Sequence, residues 1–298
     1  MTQSLSEVSL RRVSVNGIGI NVAVAGSGPA VLLLHGFPHT WQLWRGVMDA
    51  LAPAYRVIAP DLRGLGASDR PAGGYDGANL AADAVGLLDA LEEPDAVVAG
   101  IDVGAAPAFL MAMGHPERVR QLILMEGLLG RLPGAEDFLR AGPPWWFGFH
   151  AVPGLAETVL AGHESAYIDW FLTTGTLGRG LPTELHAAFI SAYTNTDALR
   201  AAFLHYRALP ETARQIETAA ATTRLRVPTL AIGAHPVGDA LARQLRPFSD
   251  DLTSHVIPDC GHIVPVDGLP ALRTLLTEFL TENAASPGYP AGTAGSIC

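Results

Sequence analysis

An aspartate stands where a predicted strand turns sharply into a predicted helix. The apolar run DAVVA is followed by Gly100–Gly104, which reads GIDVG, and then by a helical pattern. Glycines two residues before and two residues after Asp102 allow a tight turn that holds the central side chain exposed, as in a nucleophile elbow. A carboxylate there could attack carbon, although an aspartate that only caps a helix has the same spacing. The motif alone leaves both roles open.

Two more loops contain groups that such a nucleophile would need. The run AVLLL is followed by His35–Pro38, which reads HGFP. The backbone N–H of Phe37 could form an oxyanion hole together with the backbone N–H of Val103. Late in the chain, Gly261 and His262 follow the run DLTSHVIPDC, so that the imidazole is a candidate base.

The elements that must position these loops alternate between strand and helix. Helical periodicity is present at Ala78–Leu91 and Ala105–Met113, between short apolar runs. This alternation predicts a mostly parallel sheet, in which functional groups lie on loops at the carboxyl ends of the strands. The predicted strands lie in VSLRRVSV, INVAVA, AVLLL, YRVIAP, DAVVAGI, RQLILME, PTLAIG and DLTSHVI. The alternation stops between residues 128 and 210, where aromatic residues, prolines and glycines predict an inserted helical cap.

The order of the HGFP loop, a DLRGLGASD turn after YRVIAP, the aspartate elbow and the late Gly-His pair resembles the α/β-hydrolase family over nearly the whole chain. This resemblance implies an α/β fold with a mostly parallel eight-stranded sheet, flanking helices and an inserted helical cap. We expect residues 1–127 and 211–283 to form the core domain and residues 128–210 to form the cap. Residues 284–298, rich in Pro, Gly, Ala and Ser, are expected to be a flexible tail.

Within this family, an aspartate at the elbow resembles the epoxide hydrolase and haloalkane dehalogenase branch, and the chain contains no GxSxG motif. A carboxylate that attacked acyl carbon would leave a reactive anhydride, whereas attack on alkyl carbon leaves an ester. The resemblance therefore implies an epoxide hydrolase that forms a covalent alkyl ester on Asp102. Water activated by His262 would then hydrolyse the ester and release a vicinal diol.

The acid that orients His262 has two candidates. Many relatives carry it after the strand that corresponds to PTLAIG, but the first carboxylate there is Asp239. Some relatives instead use a glutamate that ends the preceding strand, and here the run LILME ends in Glu126. A carboxylate that closes an apolar strand needs a charged partner, so we favour Glu126.

The cap should donate protons or hydrogen bonds to the oxygen that the ring releases. The segments PPWWFGFH and HYRALPE resemble the donor segments of epoxide hydrolases, and they place Trp146, with Trp145 beside it, and Tyr206 at the donor positions. An indole N–H can hydrogen-bond an oxyanion, but only the phenol is matched to an alkoxide as an acid. These three residues and Phe37 are the expected substrate contacts, and the tryptophans alternatively only form the pocket wall.

Two other functions use parts of the same pattern. A haloalkane or haloacetate dehalogenase would use the same nucleophile and base, but Val103 stands where haloalkane dehalogenases commonly carry tryptophan. Haloacetate enzymes hold the substrate carboxylate with arginines after the nucleophile, and none occurs between Val103 and Pro116. The other function is that of a ligand-binding relative without catalysis. Such a protein need not retain the nucleophile, the base and the oxyanion loop together, so that the presence of all three argues against it.

Composition restricts the partners and the location. The net charge is −10 and the chain has no lysine, so that nucleic acid is an unfavourable partner and a GC-rich bacterial source is indicated. We expect a cytoplasmic protein without a membrane span, and a homodimer is compatible with the sequence. Neither Cys260 nor Cys298 indicates a disulfide framework or a metal site, and no cofactor is implied. The aromatic cap favours a bulky aromatic epoxide, such as a secondary metabolite.

Overall fold

An eight-stranded sheet is the framework of the fold, with the strand order β1-β2-β4-β3-β5-β6-β7-β8. The computed structural model describes residues 7–282. Every predicted strand is present, which confirms the predicted α/β-hydrolase sheet. The strands are β1 (Ser9–Val15), β2 (Ile18–Ala25), β3 (Ala30–Leu34), β4 (Arg56–Pro60), β5 (Ala96–Ile101), β6 (Val119–Met125), β7 (Thr229–Gly233) and β8 (Leu252–Val256).

The strand pairing is antiparallel at one edge and parallel elsewhere. Strand β2 pairs antiparallel with β1 and with β4, and all pairs from β4 to β8 are parallel. The hairpin between β1 and β2 turns at Asn16 and Gly17, which both have positive φ, as a two-residue Asn-Gly turn requires. The parallel pairs need longer crossovers, so that helices separate them in the chain.

Helices flank the sheet and fill most of the segment between β6 and β7. The helices of the described residues are α1 (Arg45–Leu51), α2 (Gly77–Ala90), α3 (Ala105–Gly114), α4 (Trp145–Ala151), α5 (Leu155–Leu160), α6 (Glu164–Thr174), α7 (Thr183–Tyr193), α8 (Thr196–Arg207), α9 (Leu209–Thr222), α10 (Ala240–Leu245), α11 (Val264–Asp267) and α12 (Leu269–Glu282). We use "cap segment" for residues 128–210, which contain α4 to α8. Helix α9 crosses the predicted boundary at residue 210, and the predicted tail lies outside the described residues.

The middle of the sheet is covered on both faces. All residues of β3, β5 and β7 are buried, as expected for near-continuous apolar runs in a parallel sheet. Helix α3 packs against β5 and β6 with Phe109 fully buried. This rigid packing holds the loops at the carboxyl ends of the central strands in place.

The turn from β5 into α3 has almost no space for side chains at its glycines. A Cβ atom at Gly104 would lie 2.3 Å from the carbonyl oxygen of Leu34 and 2.6 Å from that of His35. Both oxygens are backbone atoms, one at the end of β3 and one at the start of the HGFP loop. Backbone atoms cannot rotate away as the end of a side chain can. The elbow and the HGFP loop can therefore approach each other only because residue 104 is glycine.

We predict that Gly104→Ala lowers the free energy of unfolding by about 2–3 kcal/mol, because the new methyl group must displace backbone. Gly114→Ala is the matched control at the other end of α3, where a Cβ would meet nothing within 4 Å. Its free energy of unfolding should stay equal or rise by up to about 1 kcal/mol. Urea denaturation measures both, and equal losses in the two variants would contradict the steric account.

Candidate active site

Asp102 lies immediately after β5, in a strained turn that presents its carboxylate to backbone donors. Its φ is +52°, a value that is uncommon for residues other than glycine. Oδ1 accepts a hydrogen bond from the Phe37 N–H at 2.9 Å, and the Val103 N–H also hydrogen-bonds the carboxylate. The two backbone donors expected to form the oxyanion hole thus bind the carboxylate of the nucleophile itself. Any negative charge that develops on Oδ1 would be stabilised there.

His262 lies between two carboxylates. Its Nε2 is 3.4 Å from Oδ2 of Asp102, and its Nδ1 is 3.1 Å from Oε2 of Glu126. The imidazole belongs to the loop that follows β8, while the two carboxylates follow β5 and β6. Three carboxyl ends of parallel strands therefore meet at one point, as expected for this type of sheet.

Glu126 is the carboxylate that the structure brings to His262. It is 1% exposed, has a φ of +39°, and its Oε1 accepts a hydrogen bond of 2.5 Å from the Ala234 N–H. Asp239 instead has a side chain that is 62% exposed and lies 3.3 Å from the guanidinium of Arg243. The loop after β7, which lacks a carboxylate near the strand, supplies a backbone donor to Glu126.

Electrostatics favour a charged imidazole in the resting site. Burial lowers the pKa of His262, but the hydrogen bonds and negative charges of Asp102 and Glu126 outweigh it and raise the pKa to about 10. Burial raises the pKa of Asp102, while His262 and the backbone donors lower it below its ordinary value overall. At neutral pH the site therefore holds an imidazolium between two carboxylates.

A cavity of about 650 Å³ lies above these groups. Asp102, Glu126 and His262 line it together with Phe37, and so do several aromatic side chains of the cap segment. Phe37 packs edge-on against Phe171 and Tyr206, so that the HGFP loop and the cap segment form one wall. The aromatic lining residues from the cap segment are Phe138, Trp146, Phe147, Trp170, Phe171 and Tyr206.

The predicted cap donors differ in position. Trp146 and Tyr206 line the cavity, and Tyr206 is buried. Burial raises the pKa of Tyr206 well above 10, so that the phenol keeps its proton at neutral pH. Trp145 does not line the cavity and is 54% exposed, which corrects the expectation that it contacts substrate. Its indole packs against Trp146 and Trp170 at the outside of the cap segment.

Two histidines outside the predicted site belong to the cavity wall. His39 and His205 are buried and line the cavity. Burial lowers the pKa of His39 to about 3 and that of His205 to about 4, so that both imidazoles are neutral. The position of His39 two residues after Phe37 was the available signal, since residues of the same loop approach the same site.

Comparisons with known proteins agree with this architecture. Residues 29–269 match the family described as the alpha/beta hydrolase fold. The chain belongs to this family. It is 30% identical over 273 residues to the soluble epoxide hydrolase of Corynebacterium sp. (strain C12). This match covers 87% of this chain and 93% of that protein.

Two solved structures are similar to this chain over almost their whole length. The structure of epoxide hydrolase CorEH has a TM-score of 0.83 and 27% identity, and the match covers 93% of this chain and 99% of CorEH. Cfl2 from Burkholderia cenocepacia has a TM-score of 0.82 and 32% identity, covering 92% of this chain and 96% of Cfl2. Similarity therefore extends across both the sheet and the cap segment of this α/β-hydrolase.

The described residues contain neither a group of metal ligands nor a membrane-spanning helix. Within residues 7–282, no three His, Cys, Asp or Glu side chains are grouped as ligands of a metal ion. In the same range, no helix has the length and apolar character needed to cross a membrane.

We predict that Glu126→Gln lowers the pKa of His262 by at least about one unit, because the variant removes a negative charge 3.1 Å from Nδ1 but keeps an acceptor for Ala234. Nitrogen NMR of the labelled imidazole in the free protein measures this pKa. Asp239→Asn is the control and should leave it unchanged. A lower His262 pKa in Asp239→Asn alone would assign the orienting acid to Asp239.

Proposed function

We propose that this α/β-hydrolase is an epoxide hydrolase that opens an epoxide to a vicinal diol through an ester on Asp102. One observation carries the proposal: the Asp102 carboxylate has Oδ1 bound by the backbone N–H of Phe37 and Oδ2 beside His262, at the base of an apolar cavity. A carboxylate in this arrangement is suited to form an alkyl ester and then to have that ester hydrolysed. The names of the similar proteins support the same reaction class.

In the first step, Oδ2 of Asp102 attacks an epoxide carbon and the C–O bond of the ring breaks. The released oxygen takes the phenolic proton of Tyr206, with Trp146 as a second hydrogen-bond donor in the same cavity wall. Ester formation removes the negative charge beside His262, so that the pKa of its imidazolium falls. His262 can then lose its proton, which through water restores the proton of Tyr206.

In the second step, neutral His262 removes a proton from water, and the resulting hydroxide attacks Cγ of Asp102. Negative charge develops on Oδ1, to which the N–H of Phe37 already donates, and the N–H of Val103 binds the same carboxylate. Glu126 stabilises the imidazolium that forms at this moment. When the intermediate collapses, its bond to the alkyl oxygen breaks and this oxygen takes the proton of the hydroxyl group that water added. The diol leaves, and Asp102 is again a carboxylate, in which one oxygen now comes from water.

The cavity favours bulky apolar substrates. A volume of about 650 Å³ lies within the range of sites that enclose drug-sized ligands. The aromatic side chains from the cap segment offer faces and edges on which rings can stack. We therefore propose a bulky aromatic epoxide, such as a bacterial secondary metabolite, as the substrate class.

A dehalogenase is the second candidate, because Trp146 and Trp170 line the cavity and indole N–H groups can bind halide. A panel of aryl-substituted epoxides and haloalkanes, assayed for diol and for halide, distinguishes the two. We expect diol formation from the epoxides, whereas halide release without diol formation would assign the chain to the dehalogenases.

We predict that His262→Gln forms the ester but does not hydrolyse it, because no base remains to activate water. Intact-protein mass should increase by the mass of one epoxide within a single turnover.

In wild-type protein and ¹⁸O-labelled water, the first turnover should place the label in Asp102 and not in the diol. Label found first in the diol would contradict the covalent route.

We predict that Tyr206→Phe slows ester formation by about 100-fold, because the leaving oxygen loses its proton donor. Trp145→Phe serves as the control, since Trp145 lies outside the cavity, and its rate should stay within about twofold of wild type. Rapid-quench measurement of ester formation checks both variants. A large loss in Trp145→Phe with none in Tyr206→Phe would reverse the assignment of the donor.

A further inference from the structure

The two peptide N–H groups on either side of His262 are both bound by acceptors at the boundary with the cap segment. The N–H of Gly261 donates to Oδ2 of Asp267 at 2.5 Å. The N–H of Ile263 donates to the carbonyl oxygen of Gly175, at the end of α6 in the cap segment, at 3.0 Å. The backbone on each side of the base is thus held from outside its own loop.

Arg179 of the cap segment binds the same loop through Asp267. Its Nε donates to Oδ1 of Asp267 at 2.8 Å, and its Nη2 makes a second bond to Oδ2. Nη2 also donates to the carbonyl oxygen of Asp259 at 2.9 Å. The side chain of Asp267 is only 5% exposed, and the guanidinium of Arg179 is its bidentate ion-pair partner.

The loop of His262 packs into the core through Cys260 and Ile263, which are 2% and 1% exposed, while its backbone is bound by neighbouring segments. It follows β8, the last strand of the sheet, which has a neighbouring strand on one side only. On that side, the His235 N–H donates to the carbonyl oxygen of Cys260 at 2.9 Å. A Cβ at Gly261 would lie 2.3 Å from the carbonyl oxygen of Gly175, so that the cap backbone directly contacts the loop.

We propose that Arg179 is a positioning residue that couples the cap segment to His262, by holding Asp267 and the backbone of residues 259–263 in the geometry that places the imidazole between Asp102 and Glu126. The cap would then have two tasks in the reaction. It supplies donors such as Tyr206 to the cavity, and it orders the base that hydrolyses the ester. The second task rests on the proposed function, but the geometric coupling does not.

The coupling can be tested without substrate. Because the pKa of His262 is raised to about 10 by Asp102 and Glu126, it reports the distance from the imidazole to both carboxylates. We expect Arg179→Met to lower this pKa by at least about one unit in nitrogen NMR of the free protein. Asp267→Asn should lower it as well, and Arg179→Lys, which keeps one charged donor, should restore part of the shift.

Arg224→Met is the matched control for the NMR measurement. Arg224 forms an ion pair with Asp250 and is 53% exposed, close to the 47% of Arg179, but the pair involves neither the cap segment nor the His262 loop. The pKa of His262 should not change in this variant. An unchanged pKa in both Arg179→Met and Asp267→Asn, or an equal shift in Arg224→Met, would overturn the proposal.

The kinetic test separates positioning from general stability. With an epoxide that wild-type protein converts, Arg179→Met should form the ester at a rate within about twofold of wild type and hydrolyse it about tenfold more slowly. Equal losses in both steps would indicate a merely structural role and overturn the proposal. If wild-type protein forms no ester with any epoxide, the proposed function fails, while the NMR measurement still decides the role of Arg179.

Discussion

The placement of one imidazole between two carboxylates is the interaction on which the rest of the structure depends. His262, Asp102 and Glu126 come from loops after three different strands, and both carboxylates must lie beside the imidazole, at 3.4 Å and 3.1 Å. A parallel sheet brings these loops to one edge, and the buried runs of β5 and β7 keep that edge rigid. The sheet is therefore the scaffold that brings these three residues, which are far apart in the sequence, into contact.

Two carboxylates around one imidazolium leave an excess of negative charge in a poorly hydrated site. Backbone N–H groups balance it: Phe37 and Val103 bind Asp102, and Ala234 binds Glu126. Both acidic residues adopt positive φ, an unfavourable backbone conformation that aims their carboxylates at these donors. The strained turns and the backbone N–H donors thus act together: the turns orient the carboxylates, and the donors stabilise their charge beneath an apolar cavity.

The cap segment contributes both to the cavity wall and to the loop that carries His262. Tyr206 and Trp146 line the cavity, whereas Gly175 and Arg179 contact the loop of the base. A cap that bound only substrate could move freely relative to the core. Contacts to the backbone next to His262 mean that cap position and base geometry cannot vary independently, which joins substrate enclosure to water activation.

The sequence by itself determined the eight strands, the elbow at Asp102 and the loop of His262, because apolar runs and glycine spacing are local patterns that burial and turn geometry impose on neighbouring residues. It also favoured Glu126, because a carboxylate that closes an apolar strand needs a charged partner. Only the tertiary structure decided that Glu126, 136 residues from His262 in the chain, reaches the imidazole, and that Trp145 faces outward while Trp146 lines the cavity. The two tryptophans are neighbours of the same residue type, so that neither composition nor periodicity distinguishes them. Which of them is enclosed depends on how helices far apart in sequence pack together.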